Sequence, residues 1–434
     1  MADTVAPTGT MAGGAAAPPA AARPSGAAAA GTGSSGSRRR NEPIPVPPRL
    51  SKVPRYWYVY VLVVGWFYLI HQLGIMPYVL AYYALYPLVA PVGDWSFGIR
   101  IFFRLLRGPF DGYYWSHNLV CMGVLLSRVL FLFPIETLLW YLDRVLFPGY
   151  RKQPVEQPLL LLGQPRSGTT KLEEILSEDD EHLVSLRLIE MRFPYLTVQY
   201  LLDGLVWLDR HVLFGLLRRI FFDTLHLNHP YDHKGPRHEM RRLQYELHDE
   251  DDIIFLFHQM HHFQLCGILP DPDFVRHLLR FSALPQYKRR RVMQFHRECV
   301  QKVLYRRGQG KTYFAKWVAC WNGMLNEARV VYPDAQYIVI VRDPALSLPS
   351  WFKLQSLLSI DMSGEDIMAR PHLRQVFKEE NIAWFKAEIE FCRTTPPRTL
   401  YLLSSEEFYN DIPGSMRKVG PLGERGLGRW FDGR

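Results

Sequence analysis

The chain has 434 residues, which is enough for one large domain with additional segments, because single domains usually run to about 100–250 residues. Hydrophobic residues make up 48% and aromatic residues 14%, so the composition excludes a chain that is disordered throughout. The formal net charge of +9 suits a polyanionic ligand, but the basic runs lack interleaved aromatic residues, so we do not expect nucleic acid to bind.

Residues 1–50 are predicted to be a disordered tail, because they consist largely of Ala, Gly, Pro and Ser with almost no large apolar side chain. Residues 56–93 carry no charged side chain, and a bilayer-spanning helix needs only about 20 apolar residues. We therefore expect one transmembrane helix or a hairpin of two within residues 51–95, with a cytoplasmic N-terminus indicated by the preceding arginines. One span would place the remaining chain in a lumen, and a hairpin would return it to the cytoplasm.

Residues 96–153 are expected to form membrane-proximal helices. Within them, residues 119–142 are apolar but include Arg128, Pro134 and Glu136. This pattern favours helices that lie on the membrane or pack on the following domain over a second spanning segment.

Residues 154–434 are predicted to be an α/β domain of the P-loop type, with three layers around a central parallel sheet. An apolar run at residues 158–162 precedes a glycine, as in a strand buried on both faces. Further strands are expected at residues 183–186, 336–341 and 398–403, and helices at residues 169–176, 193–219, 253–263 and 286–305. Alternating strands and helices are typical of a parallel, doubly wound sheet.

Residues 163–170 join the first predicted strand to the first predicted helix. Backbone N–H groups at such a turn, together with the positive end of the helix dipole, form an anion-binding site. Arg166 adds a positive charge inside the turn. A loop that binds ATP has lysine where this chain has Thr169, which argues against ordinary hydrolysis of ATP or GTP.

A second candidate site follows the strand predicted at residues 336–341. Arg342 comes directly after that strand, at the carboxyl edge where open α/β sheets bind their ligands. Ser350 lies eight residues further on, in a helix that Pro344 is suited to begin. Arg342 and Ser350 can contact one phosphate together. The alternative is a surface ion pair between Arg342 and Asp343.

The segment PRSGTT at residues 165–170 and the pattern RDPxxxxxS at residues 342–350 resemble the two signatures with which sulfotransferases bind 3′-phosphoadenosine 5′-phosphosulfate (PAPS). The resemblance is to the broad group found in bacteria and microalgae, and it covers about residues 154–420. Residues 188–190, 249–252, 315–316 and 405–408 resemble weaker elements of the family. Ile189 and Trp317 depart from the usual family residues, so the resemblance leaves the acceptor open.

The resemblance implies two groups of donor-binding residues and no metal, because an arginine takes the place of magnesium. The group for the 5′-phosphosulfate comprises Arg166, Ser167, Gly168, Thr169 and Thr170, and the group for the 3′-phosphate comprises Arg342 and Ser350. Arg166 is also expected to act in catalysis, because it faces the phosphate on which negative charge grows as the S–O bond breaks.

An acceptor hydroxyl must lose a proton during the transfer, so the site needs a base. Glu190 is the first choice, because it follows the strand predicted at residues 183–186 and would lie at the ligand edge of the sheet. The alternative is that Glu190 only stabilises a helix N-terminus. His226 and His229, on a predicted loop, are the competing bases.

The sequence therefore predicts transfer of a sulfuryl group from PAPS to a hydroxyl or amine of a small molecule, glycan, lipid or other membrane-associated acceptor. A P-loop kinase or NTPase, and a non-catalytic membrane scaffold with the same fold, are the alternatives. We expect a Golgi or other endomembrane location. The five scattered cysteines predict no disulfide framework, and the lack of an Asn-x-Ser/Thr sequon counts mildly against a secretory lumen.

Overall fold

The computed structural model describes residues 132–216, 250–259, 261–267, 271–363 and 366–419, together with Ala84, Leu85, Arg100 and Phe103. The tail predicted for residues 1–50 lies outside these residues, as does nearly all of the membrane segment predicted for residues 51–95. No helix within the described ranges combines the length and the apolar character that a membrane crossing requires. The four segments predicted from the sequence, and the boundaries between them, stay predictions.

The centre of the fold is a sheet of five strands in the order β2-β3-β1-β4-β5, in which every neighbouring pair is parallel. The strands are β1 (Leu159–Gly163), β2 (Leu183–Val184), β3 (Thr312–Trp317), β4 (Gln336–Val341) and β5 (Leu400–Ser404). The predicted α/β class with a central parallel sheet is thereby confirmed.

Strand β1 lies in the middle of the sheet and is buried along its whole length. Its side chains alternate between two apolar clusters, with Leu160 and Leu162 in one and Leu159 and Leu161 in the other. A strand covered on both faces has no polar positions, which explains the continuous run of leucines. The carboxyl end of β1 therefore lies in the middle of the edge at which the five parallel strands end.

Twelve α-helices connect and cover the strands within the described part of the chain. They are α1 (Phe133–Leu146), α2 (Thr169–Leu176), α3 (Leu188–Arg192), α4 (Leu196–His211), α5 (Ile253–His258), α6 (Pro272–Leu279), α7 (Gln286–Arg307), α8 (Met324–Val331), α9 (Pro344–Ser363), α10 (Pro371–Thr394), α11 (Ser405–Asn410) and α12 (Ile412–Val419). Short 3-10 helices occur at Pro148–Lys152, Phe263–Gly267, Phe281–Ala283, Cys320–Asn322, Ile367–Ala369 and Pro397–Thr399.

Helix α1 is packed on the domain through one face. Trp140 is buried and stacks on Phe295 of α7 with ring centroids 4.8 Å apart. The buried carboxylate of Asp143 pairs with Lys302 Nζ at 2.8 Å and accepts the backbone N–H groups of Leu196 and Thr197 at the start of α4. The sequence predicts that residues 119–142 either lie on the membrane or pack on the domain. The described end of this stretch packs on the domain.

Strand β3 is the one strand of the described sheet that the sequence does not predict. Its residues mix polar, aromatic and small side chains and include Lys316, so the segment lacks the continuous apolar run of β1 and β4. It nevertheless lies between β1 and β2. The strands predicted at residues 158–162, 183–186, 336–341 and 398–403 are confirmed to within two residues at either end.

Candidate functional site

The loop between β1 and α2 has a backbone that two glycines make possible. A Cβ on Gly163 would lie 2.6 Å from Ser167 Oγ and 2.8 Å from a methyl group of Ile340, so a side chain does not fit there. Gly168 has a φ of 109°, in the left-handed region that favours glycine, and immediately precedes α2. The turn therefore brings its backbone to the amino end of α2, where the first N–H groups of a helix have no partner within the helix.

Arg166 lies in this loop in a left-handed conformation, with a φ of 69°. For a residue other than glycine this conformation costs about 1–2 kcal/mol. The arginine is exposed, and its Nε donates a hydrogen bond to Ser350 Oγ at 3.1 Å. A strained backbone that is retained at an exposed arginine is typical of a functional position.

The structure brings the two predicted signatures together. Arg342 follows β4 and donates from Nη1 to the backbone carbonyl of Arg166 at 2.8 Å. Ser350 lies in α9 and accepts from Arg166. The carboxylate of Asp343 accepts the N–H of Ala345 at 2.8 Å and so caps α9. Arg342 is thus turned to the loop, in contrast to the alternative of a surface pair with Asp343.

Three further residues, in the loop and at the start of α2, have hydroxyl groups suited to an anion. Ser167 is fully buried, and its Oγ has no hydrogen-bond partner among the described residues. A buried hydroxyl without a partner is costly, which indicates a ligand or solvent partner at this point. Thr169 is buried at the first position of α2, and Thr170 beside it is exposed. The loop and the first residues of α2 therefore fit a phosphate or phosphosulfate group.

A second positive charge lies next to the start of α2. Lys316, at the end of β3, is buried and lies 2.5 Å from Glu173 Oε2 and 3.5 Å from Thr170 Oγ1. Its Nζ is also 3.6 Å from Glu250, whose side chain is about one-fifth exposed. The cluster of Lys316, Glu173 and Glu250 combines a cation with a carboxylate that solvent can reach.

Gln164 connects the loop to α10. Its Nε2 donates to Oε2 of Glu388 at 2.9 Å, and both side chains are buried. Burial raises the pKa of Glu388 to about 7, and the hydrogen bond from Gln164 opposes this rise. The loop is therefore anchored on a carboxyl group that is partly protonated at neutral pH.

Glu190 lies at the start of α3 and is held by ion pairs. Its carboxylate contacts Arg307 at 2.8 and 2.7 Å and Arg306 at 3.2 Å, and it accepts the N–H of Arg187. Burial raises the pKa of Glu190, but the hydrogen bond and charge of Arg307 outweigh burial, so the net pKa is lowered. Its role as base stays a prediction, but the pairing favours the alternative of a carboxylate at a helix N-terminus.

The competing bases His226 and His229 lie outside the described residues. Within the described ranges, no cluster of three or more His, Cys, Asp or Glu side chains is arranged to hold a metal ion. The expected independence from metal stays a prediction.

Sequence reasoning missed two parts of the site. The pair of Glu388 and Gln164 joins residues 224 positions apart, and nothing in the local pattern of either segment indicates it. The cluster around Lys316 had a signal, because residues 315–316 and 249–252 resemble family elements, but their contact with Glu173 of α2 requires knowledge of β3.

Comparison with known proteins shows which family the chain resembles. A protein-family model described as "Sulfotransferase family" matches residues 158–421. The solved structure of sulfotransferase STF1 from Mycobacterium tuberculosis H37Rv has a TM-score of 0.52 and 15% identity, covering 75% of this chain and 82% of that one. For sulfotransferase STF9 from Mycobacterium avium the TM-score is 0.50 and the identity 16%, covering 68% and 72%. The comparison with curated protein sequences finds no match.

Proposed function

The chain belongs to the sulfotransferase family, and on this premise we propose that it transfers a sulfuryl group from PAPS to a hydroxyl or amine acceptor. The observation that supports PAPS is the joining of the two signatures, with Arg342 on the backbone of Arg166 and Arg166 on Ser350. A donor with phosphate groups on both the 3′ and the 5′ positions of one ribose needs two such positions close together.

We assign each of the donor's two charged groups to one of the two loops that follow β1 and β4. Arg166 and the residues 167–170 would bind the 5′-phosphosulfate, because the loop supplies N–H groups, hydroxyls and one positive charge. Arg342 and Ser350 would bind the 3′-phosphate, which ATP lacks. Thr169 in place of the lysine of an ATP-binding loop favours PAPS over the alternative of a kinase or NTPase.

In the proposed reaction, an oxygen or nitrogen of the acceptor attacks the sulfur, and the bond between sulfur and the bridging phosphate oxygen breaks. The electron pair of that bond passes to the phosphate, so 3′-phosphoadenosine 5′-phosphate leaves with an added negative charge. Arg166 and Lys316 lie on either side of the start of α2 and would stabilise this charge, as fixed cations do in phosphoryl transfer.

Glu250 is our candidate for the base that takes the proton of the acceptor. It is partly exposed and lies 3.6 Å from Lys316 Nζ, whereas Glu173 is buried beneath that lysine. Glu190 stays the candidate from the sequence, and to accept a proton it would have to leave Arg307. His226 and His229 complete the set of alternatives.

The acceptor is proposed to be a glycan, lipid or other membrane-associated molecule at a Golgi or other endomembrane surface. The support for this location is the uncharged segment at residues 56–93. A membrane-anchored enzyme meets acceptors in the same bilayer at high local concentration.

The test is a transfer assay with the full chain, PAPS labelled with sulfur-35, and an extract of membrane lipids and glycans. We expect label in an acceptor with the wild type, loss of transfer with Arg166→Ala, and retention with Arg393→Ala, an exposed arginine of α10. A further variant, Glu250→Gln, is expected to lower the turnover number with little change in affinity for PAPS.

Two results would overturn the proposal. Magnesium-dependent turnover of ATP without transfer from PAPS would favour a kinase or NTPase. A calorimetric titration that shows no heat with PAPS would favour a non-catalytic scaffold.

A further inference from the structure

Helices α1 and α4 expose large apolar side chains on the outside of the fold. Leu138 and Val145 of α1 are 67% and 75% exposed, and Val206 and Trp207 of α4 are 56% and 60% exposed. We call this surface, formed by the outward side chains of α1 and α4, the outer apolar face. A monomer in water rarely exposes so many large apolar side chains on two neighbouring helices.

The two helices are held together as one surface. Asp143 of α1 accepts the first N–H groups of α4, and the rings of Phe147 and Tyr200 lie with centroids 5.2 Å apart. The opposite side of α1 is buried through Phe133 and Trp140. The outer apolar face is therefore a fixed part of the domain.

The acidic residues of these two helices are either buried or paired with an arginine. The two helices contain four acidic residues, of which Glu136, Asp143 and Asp209 are buried. The fourth, Asp203, is paired with Arg306 at 2.6 Å. Positive charge remains exposed at Arg210, at the end of α4. A surface that is apolar with basic residues and no exposed, unneutralised carboxylate complements an anionic phospholipid headgroup layer.

We propose that the outer apolar face lies on a phospholipid bilayer, with its apolar side chains at the boundary between headgroups and acyl chains. Trp207 and Tyr200 have the amphipathic rings that are enriched at this boundary. The uncharged segment at residues 56–93 precedes α1 in the same chain, so an anchor there would keep the domain near the bilayer. The inference rests on the membrane location in the proposed function and is independent of the transfer chemistry.

Contact with the bilayer through α1 and α4 would fix the orientation of the whole domain. Helix α4 is connected through Asp203 and Arg306 to α7, and α1 through Asp143 and Lys302 to the same helix. The domain would then keep one orientation relative to the bilayer, which suits an acceptor embedded in the same membrane.

The test uses the full chain with Cys121 and Cys392 replaced by serine, since Cys266, Cys299 and Cys320 are buried. Single cysteines are introduced by Leu138→Cys and Val206→Cys and coupled to an environment-sensitive nitrobenzoxadiazole label. Matched control cysteines are Val330→Cys and Ile389→Cys, which are 62% and 50% exposed on α8 and α10. The labelled proteins are placed in vesicles of phosphatidylcholine and phosphatidylserine, with and without nitroxide-labelled lipid.

We expect labels at residues 138 and 206 to shift their emission to the blue and to lose intensity with nitroxide lipid, and labels at residues 330 and 389 to do neither. A blue shift without quenching by lipid would show that protein covers the face, either another part of this chain or a second copy, and would overturn the proposal. An unshifted emission would show water there and would overturn it too.

Folding and function are monitored separately in the same variants. A variant whose thermal midpoint falls below that of the parent is replaced by Val145→Cys or Leu201→Cys, which are 75% and 62% exposed on the same two helices. Titration with PAPS tests the proposed function independently. Quenching without PAPS binding would support the membrane contact and refute the donor assignment, whereas PAPS binding without quenching would do the reverse.

Discussion

Replacement of Glu388 by glutamine is expected to stabilise the protein at alkaline pH. Glu388 is buried in α10, and among the described residues its carboxylate accepts a hydrogen bond only from the amide of Gln164, so the ionised form is poorly compensated. Burial raises its pKa from the ordinary value of 4.5 to about 7. The folded state thus prefers the protonated acid, and the unfolded chain ionises more readily.

The direction and size of the effect follow from this difference. Stability from the protonated group is fully present below pH ~4.5 and is lost as the pH rises through ~7. At ~1.4 kcal/mol for each pH unit, the full loss in free energy of unfolding is about 3 kcal/mol. Glutamine stays neutral and keeps an acceptor for Gln164, so Glu388→Gln should avoid this loss.

The assay is urea unfolding of wild type and Glu388→Gln between pH 5 and pH 9, with Glu390→Gln as the matched control. Glu390 lies two residues away on the same helix and is exposed. We expect Glu388→Gln to exceed the wild type by less than about 1 kcal/mol near pH 5 and by up to about 3 kcal/mol near pH 9. Equal pH profiles for the wild type and both variants would refute the reasoning.

Two further changes test the site. Gly163→Ala should displace Ser167, weaken donor binding at least about tenfold and destabilise the fold by about 1–3 kcal/mol. The control Gly204→Ala, with open space around its Cβ, should not destabilise the fold. Calorimetry with PAPS measures donor binding, and urea unfolding measures stability. Glu190→Gln should lower the free energy of unfolding by about 2 kcal/mol, because Arg307 loses a buried partner, with little loss of turnover in the folded enzyme. A large loss of turnover at unchanged stability would instead restore Glu190 as the base.

The parts of the fold that local patterns determine could be predicted from the sequence. Strands β1 and β4 are largely buried on both faces, so each contains an unbroken apolar run, and each is followed by a turn with residues of the predicted donor site. Strand β3 could not be recognised in the same way, because Lys316 interrupts it and is accommodated there by contacts with Glu173 and Glu250. Its position in the sheet depends on pairing with β1 and β2, both of which are distant in the chain.

The same limit applies to the site. Arg166, Arg342 and Ser350 could be placed at one edge in advance, because Arg166 and Arg342 follow strands that end at the carboxyl edge of one sheet and Ser350 lies in the helix after Arg342. The environment of Glu190 could not, because the arginines that hold it come from the end of α7, 116 and 117 residues along the chain. A carboxylate at the correct edge of a sheet is therefore not sufficient to identify a base.

We propose above that the loops after β1 and β4 together bind a donor carrying a 3′-phosphate. Calorimetric titration of wild type, Arg342→Ala and the control Arg393→Ala with PAPS and with adenosine 5′-phosphosulfate, which lacks the 3′-phosphate, tests this claim most directly. We predict that Arg342→Ala weakens PAPS binding by about tenfold or more, the effect of losing a charged hydrogen bond, while adenosine 5′-phosphosulfate binding changes little. Equal weakening of both ligands would contradict the assignment.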